Sequence, residues 1–131
     1  MNTLNATITA IKASDHLSIL SVDIGENRFH LLLAEASHEP IGTSVTLAFK
    51  ETEITLSKHP LITTANCAKG IVQKISYGTI LSQVTFTYHE MTLNALVPTL
   101  TFETLSMDVG DTIYWIVQPS EISLLRETHG I

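Results

Sequence analysis

The sequence predicts an all-β fold in which two small five-stranded barrels follow one another along the chain. Three observations carry that expectation. The 131 residues repeat themselves at a nearly fixed offset, apolar residues alternate with a period of two, and turn-forming residues recur at the spacing of short strands.

The repeat comes first because it sets the number of units. Sliding the chain by 64 positions aligns Asn2 with Asn66, Ile11 with Ile75, Leu17 with Leu81 and Ser18 with Ser82. The apolar pattern follows, with Ile8 on Val72, Leu20 on Val84, Val22 on Phe86, Phe29 on Leu93 and Leu33 on Val97. After four extra residues in the second copy the offset is 68, and Gly42 meets Gly110, Val45 meets Ile113, Glu53 meets Glu121 and Leu56 meets Leu124. A tandem duplication accounts for both blocks, with a first domain over 1–58, a second over 63–131 and a linker at 59–62 marked by Pro60. Each copy of roughly 60 residues lies near the lower limit for independent stability, so packing against another copy or another chain is expected.

The elements can be taken in order. Leu20, Val22 and Ile24 share one face of a strand over 18–24, and Val84, Phe86 and Tyr88 share the matching face over 82–88. Gly25-Glu26-Asn27 and Tyr88-His89-Glu90 supply the hairpin turns that follow, Gly and Asn being able to adopt positive φ. Further strands are predicted over 29–33, 45–49, 93–97 and 113–117, with one-turn helices over 34–38 and 101–106. About five short strands per copy match a partly open barrel of the OB type.

Composition narrows the function. Seven Lys+Arg against 13 Asp+Glu give a net charge of −6, with no basic cluster, which disfavours a phosphate-tracking nucleic-acid surface and an anionic membrane surface. Aromatic residues are only 6%, little material for a base-stacking platform. No apolar run reaches the roughly 20 residues of a membrane span, and Met1-Asn2-Thr3-Leu4-Asn5 lacks the features of a secretory signal, so the cytoplasm is the expected location. The single Cys67 excludes an internal disulfide framework and a cysteine-based zinc site; the six histidines have neither HxxxH nor HxH spacing, and no metal site is expected. A phosphate loop, GxSxG and HExxH are all missing, so the chain is not expected to be an enzyme.

The segment Thr63-Thr64-Ala65-Asn66-Cys67-Ala68-Lys69-Gly70-Ile71-Val72 resembles the opening motif of molbindin-type domains, also called Mop or TOBE domains: Ser-Ala-Arg-Asn, then Gly and an apolar strand. Val109-Gly110-Asp111, a strand and Gln118-Pro119-Ser120-Glu121-Ile122 resemble the family's closing motif, which Lys50-Glu51-Thr52-Glu53-Ile54 provides in the first copy. The likeness covers nearly the whole chain as two domains in tandem. It implies small OB-type barrels, association around a threefold axis as a homotrimer, and molybdate or tungstate bound where subunits meet, with no covalent cofactor. Carried over residue by residue, it implies donors at Thr63, Thr64 and Asn66, at Asn2 in the first copy, at Lys50 and Thr52, and at Gln118 and Ser120. A strongly hydrated dianion needs such convergent donors to replace its lost water bonds. The chain departs from the pattern at Ala65, where the family has Arg, at Gln118, where it has Lys, and at Ala34 or Pro98, where it has a mid-domain Thr. Each departure removes a charge or a donor.

Simpler roles stand beside these. Lys50, Thr52, Gln118 and Ser120 follow strand ends, where polar residues also satisfy turn backbone, and Asn66 can cap the entry to a strand. Cys67 reads as an idle thiol, and Tyr114 and Trp115 as core or interface. Two functions are therefore open: an oxyanion-binding protein for storage, homeostasis or sensing, and a TOBE-type regulatory or interaction module that has lost its ligand.

Overall fold

The computed structural model describes residues 1–61 and 66–125. The first copy forms β1 (Asn2–Ala13), β2 (Ser18–Ile24), β3 (Asn27–Leu33), β4 (Ser44–Phe49), a one-turn 3-10 helix (Glu51–Glu53) and β5 (Thr55–Ser57). The second forms β6 (Asn66–Ser76), β7 (Leu81–Tyr88), β8 (Met91–Pro98), helix α1 (Thr99–Leu105), β9 (Thr112–Val117), a second 3-10 turn (Pro119–Glu121) and β10 (Ser123–Leu125). The fold is all-β, with two five-stranded antiparallel sheets, each curled into a half-barrel.

The repeat is visible in backbone detail. Both long first strands carry an irregularity at aligned places, between Ile8 and Ala10 and between Val72 and Lys74. Beside it, Ile8 exchanges hydrogen bonds with Gly42 and Thr43, and Val72 does the same with Gly110 and Asp111. Gly42 and Gly110 share a φ of 93°, a left-handed conformation in which a side chain would be strained.

The strand order is β10-β4-β1-β2-β3 in one sheet and β5-β9-β6-β7-β8 in the other. The short last strand of each copy has therefore changed places. β10 lies against β4, pairing Leu124 with Leu47, and β5 lies against β9, pairing Leu56 with Trp115. Among the described residues, the two compact units accordingly comprise 3–49 with 118–125, and 50–61 and 66–117 with Asn2. These are not the segments 1–58 and 63–131. A repeat shows which stretches are alike, whereas the edge that receives a three-residue strand is fixed by long-range pairing.

Each unit has its own core. Leu4, Ile8, Leu20, Val22, Phe29, Leu31 and Leu47 are fully buried in the first. In the second, Val84, Phe86, Leu93, Ile113 and Trp115 are fully buried, and the Trp115 ring meets Phe86 at 5.9 Å and Tyr88 edge-on at 5.1 Å. Gly70 belongs to this core, since a Cβ there would lie 2.7 Å from Phe86 Cδ2 and 3.0 Å from the Thr87 carbonyl oxygen. The aligned residues in the first copy are Ala6 and Val22, a smaller partner matched to a larger neighbour.

The hairpins need only two loop residues. Ile24 pairs with Asn27 and Tyr88 with Met91, and the positive φ falls on Gly25 and His89 rather than on Asn27. Of the two expected helices only the second forms, as α1, held by the buried Phe102 and its edge-on contact with Tyr77. Residues 34–38 are irregular instead. Ser18 Oγ donates to the Glu35 carbonyl and accepts from the Ser37 N–H, both at 2.6 Å, so those backbone groups are spent on a side chain.

Candidate functional site

The closing motifs sit where the chain passes from one compact unit to the other. Lys50 follows β4 and Gln118 follows β9, both extended, with φ/ψ of −79°/155° and −65°/143°. Each opens a 3-10 turn whose last residue, Glu53 or Glu121, donates its N–H to the opening carbonyl at 3.0 Å. In the first turn Glu53 also reaches back, its Oε1 accepting the Lys50 N–H at 2.7 Å. The turn backbone is thereby satisfied without the side chains of Lys50 and Thr52 or of Gln118 and Ser120, and all four residues are exposed. Among the described residues the Lys50 ammonium has no ion-pair partner.

The two turns are not chemically equal. Gln118 is neutral where Lys50 is charged, and Pro119 has no N–H where Glu51 has one. The first turn therefore carries a cation that the second lacks. Sequence reading found the first difference and missed the second, though the aligned Pro119 was there to be seen.

The asparagines are placed differently. Asn66 is buried, opposite Val117 in the sheet register, and donates its Nδ2–H to the Val117 carbonyl at 3.1 Å. This joins the opening motif of the second copy to the residue preceding Gln118. Asn2 is also buried; its Nδ2–H donates to the Asn94 carbonyl at 2.9 Å and its Oδ1 accepts the Asn94 N–H at 2.8 Å, as one more step of a ladder. Strand exchange puts Lys50, Thr52 and Asn66 in one compact unit and Gln118 and Ser120 in the other. Thr63 and Thr64 lie outside the described residues.

Other polar features have the wrong chemistry for an anion. An open groove of about 680 Å³ in the first unit is lined by Asn5, Thr7 and Thr43 but also by Asp23 and Glu39, whose carboxylates repel a dianion. Arg28 is engaged, its Nε donating to Asp23 Oδ1 at 2.9 Å, and this contact holds the Asp23 carboxyl below the usual carboxylate range. Lys69 lies over the Tyr114 ring, 6.0 Å from its centroid. Cys67 is half-buried with a free thiol, and no group of three metal-ligating side chains occurs among the described residues.

No family model matches the chain, and no curated protein matches it in sequence. Solved structures do. The chain superposes on a crystal structure of the cytoplasmic molybdate-binding protein ModG, grown from PEG with molybdate bound, with a TM-score of 0.81 over 94% of each chain. The fold resembles that of ModG. At 17% identity the likeness to ModG is one of architecture, and it spans both units rather than one. No helix of the described residues is long and apolar enough to cross a membrane.

Proposed function

We propose that this protein binds a tetrahedral oxyanion, molybdate or tungstate, and releases it unchanged, as a cytoplasmic store, buffer or sensor. The observation that carries the reading is the likeness to molybdate-bound ModG over nearly the whole chain, together with an exposed Lys50, without an ion-pair partner among the described residues, at the turn where the resemblance to molbindin-type domains expects a cation. The donors would be drawn from Lys50, Thr52, Thr63, Thr64, Asn66, Asn2, Gln118 and Ser120, with Lys50 supplying the charge-assisted contact. Asn2 and Asn66 spend amide groups on backbone, which suits them to hold the motifs in register while hydroxyls, backbone N–H groups and Lys50 face the ligand.

One chain presents few donors at each turn, so the reading includes a homotrimer whose sites are completed by neighbouring subunits. No catalysis, metal, nucleic acid or membrane enters it. Discrimination among oxyanions rests on cavity size and on presenting donors alone. Titration calorimetry with molybdate, tungstate and sulfate tests it: heat with the first two supports the proposal, and silence with all three refutes it. Lys50→Ala should weaken binding by about 1.5–3 kcal/mol, the value of a hydrogen bond to a charged group, and Gln118→Ala by less. Equal losses would refute the inequality of the Lys50 and Gln118 turns, and an unchanged affinity in Lys50→Ala would remove Lys50 from the site.

The neutral Gln118 and the N–H-free Pro119 favour a second reading for that turn, a TOBE-type interaction module without ligand. A stoichiometry of one anion per chain with Gln118→Ala silent supports it there; two anions per chain argue against it.

A further inference from the structure

Between Val97 and Gly110 the second copy has four more residues than the first has between Leu33 and Gly42. They go into α1 and the turn after it, which border a small pocket of about 290 Å³ on the second unit. Tyr77, Phe102, Glu103, Ser106, Met107 and Asp108 line it. The first copy lacks the parts: Ala13 stands in the place of Tyr77, Pro40 in that of Asp108, and 34–38 forms no helix. Anion binding by a duplicated motif therefore does not account for this pocket.

The fold holds the pocket in shape. Phe102 and Met107 are buried and supply its apolar floor. Ser106 ends α1 in the left-handed conformation, with φ 49° and ψ 47°, and the chain leaves the helix there so that Met107 returns to the core. Tyr77 is 68% exposed, yet its ring is fixed edge-on against Phe102 at 5.2 Å. Its neighbour Gly78 is tied to the start of α1, because Thr99 Oγ1 donates to the Gly78 carbonyl at 2.8 Å.

The charges around this floor have one sign. Glu103 and Asp108 are exposed, and among the described residues neither carboxylate has an ion-pair partner. No Lys, Arg or His is among the lining residues. The pocket lies at the C-terminal end of α1, where carbonyls without helical partners add partial negative charge. An aromatic ring also attracts a cation, through its quadrupole. Apolar floor, ring and two carboxylates together select a cation that carries an apolar stem.

We infer that this pocket binds an alkylguanidinium. The planar guanidinium can hydrogen-bond two carboxylates at once and pack against a ring, whereas a compact ammonium is more strongly hydrated and presents no such fork. The alkyl stem covers Phe102 and Met107. The volume is at the small end of ligand pockets, roughly 300–1,000 Å³, and suits one group of this size.

This site is independent of the oxyanion reading, and each can fail without the other. The test titrates the full chain with n-propylguanidinium and follows the methionine methyl resonances by NMR, with circular dichroism to verify the sheets. Met107 reports the pocket, and Met91, at the far end of the β7–β8 hairpin from Pro98, serves as the internal control. A saturable shift of Met107 with Met91 unmoved is expected, and n-propylurea, of the same shape without the charge, should leave both in place. Glu103→Gln/Asp108→Asn should weaken binding by about tenfold or more, and Tyr77→Leu by several-fold. No saturable shift at Met107, an equal shift with n-propylurea, or unchanged affinity in the carboxamide variant overturns the site. Binding of n-propylammonium as tight as that of n-propylguanidinium overturns the assignment to a guanidinium.

Discussion

Leu56→Ala tests the strand exchange directly. Leu56 is encoded at the end of the first copy yet pairs with Trp115, a fully buried residue in the middle of β9, and is itself only 6% exposed. Removing its isobutyl group forfeits transfer free energy and leaves a void beside the indole, for which buried Leu→Ala changes cost about 2–5 kcal/mol. β5 has only three residues and lies at a sheet edge, so it can settle into part of the space, and the lower end, about 2–3 kcal/mol, is expected. For a chain of this size that lowers the melting temperature by about 10 °C. Trp115 is the only tryptophan, so its fluorescence reports the packing around it without labelling. Urea titration followed at Trp115 should show a lower midpoint with a shifted native emission. Native emission and midpoint identical to wild type would mean that β5 does not cover Trp115, and the exchange would be refuted.

Gly70→Ala should destabilise by about 1–3 kcal/mol, because its Cβ lands 2.7 Å from the Phe86 ring, and Gly70→Ala with Phe86→Val should recover part of that loss, as the Ala6 and Val22 pair implies; thermal melts of the two variants and of Phe86→Val decide it. Asn66→Ala leaves the Val117 carbonyl without this donor in a buried place and should cost about 1–3 kcal/mol in denaturant titration; a change below a few tenths would assign the amide to ligand instead. Asp23 should titrate below the ordinary aspartate range and Arg28→Gln should return it there, as followed by NMR of its carboxyl carbon. Because the folded value is lowered, the associated stabilisation is present above the ordinary range and lost as pH falls through the lowered value.

Much of this molecule is legible in the sequence because the relevant information is local or periodic. Alternation at Leu20, Val22, Ile24 and at Val84, Phe86, Tyr88 dictates which faces are buried, since side chains on a strand point alternately to opposite sides. The offset between copies identifies Gly42 with Gly110 and Lys50 with Gln118, and the backbone repeats itself at those positions. What the sequence could not decide is where three-residue strands go. β5 and β10 have too few residues to encode a partner, and each takes the edge of the other copy's sheet because that is where Leu56 and Leu124 meet an apolar face. The same long-range choice carries Lys50 into the unit that holds Asn66, binds Asn2 to Asn94, and turns 34–38 from an expected helix into a loop anchored on Ser18. Periodicity fixes which way a side chain faces, but what it faces is settled only when distant edges pair, because that pairing is the step at which loop-closure entropy is offset by burial.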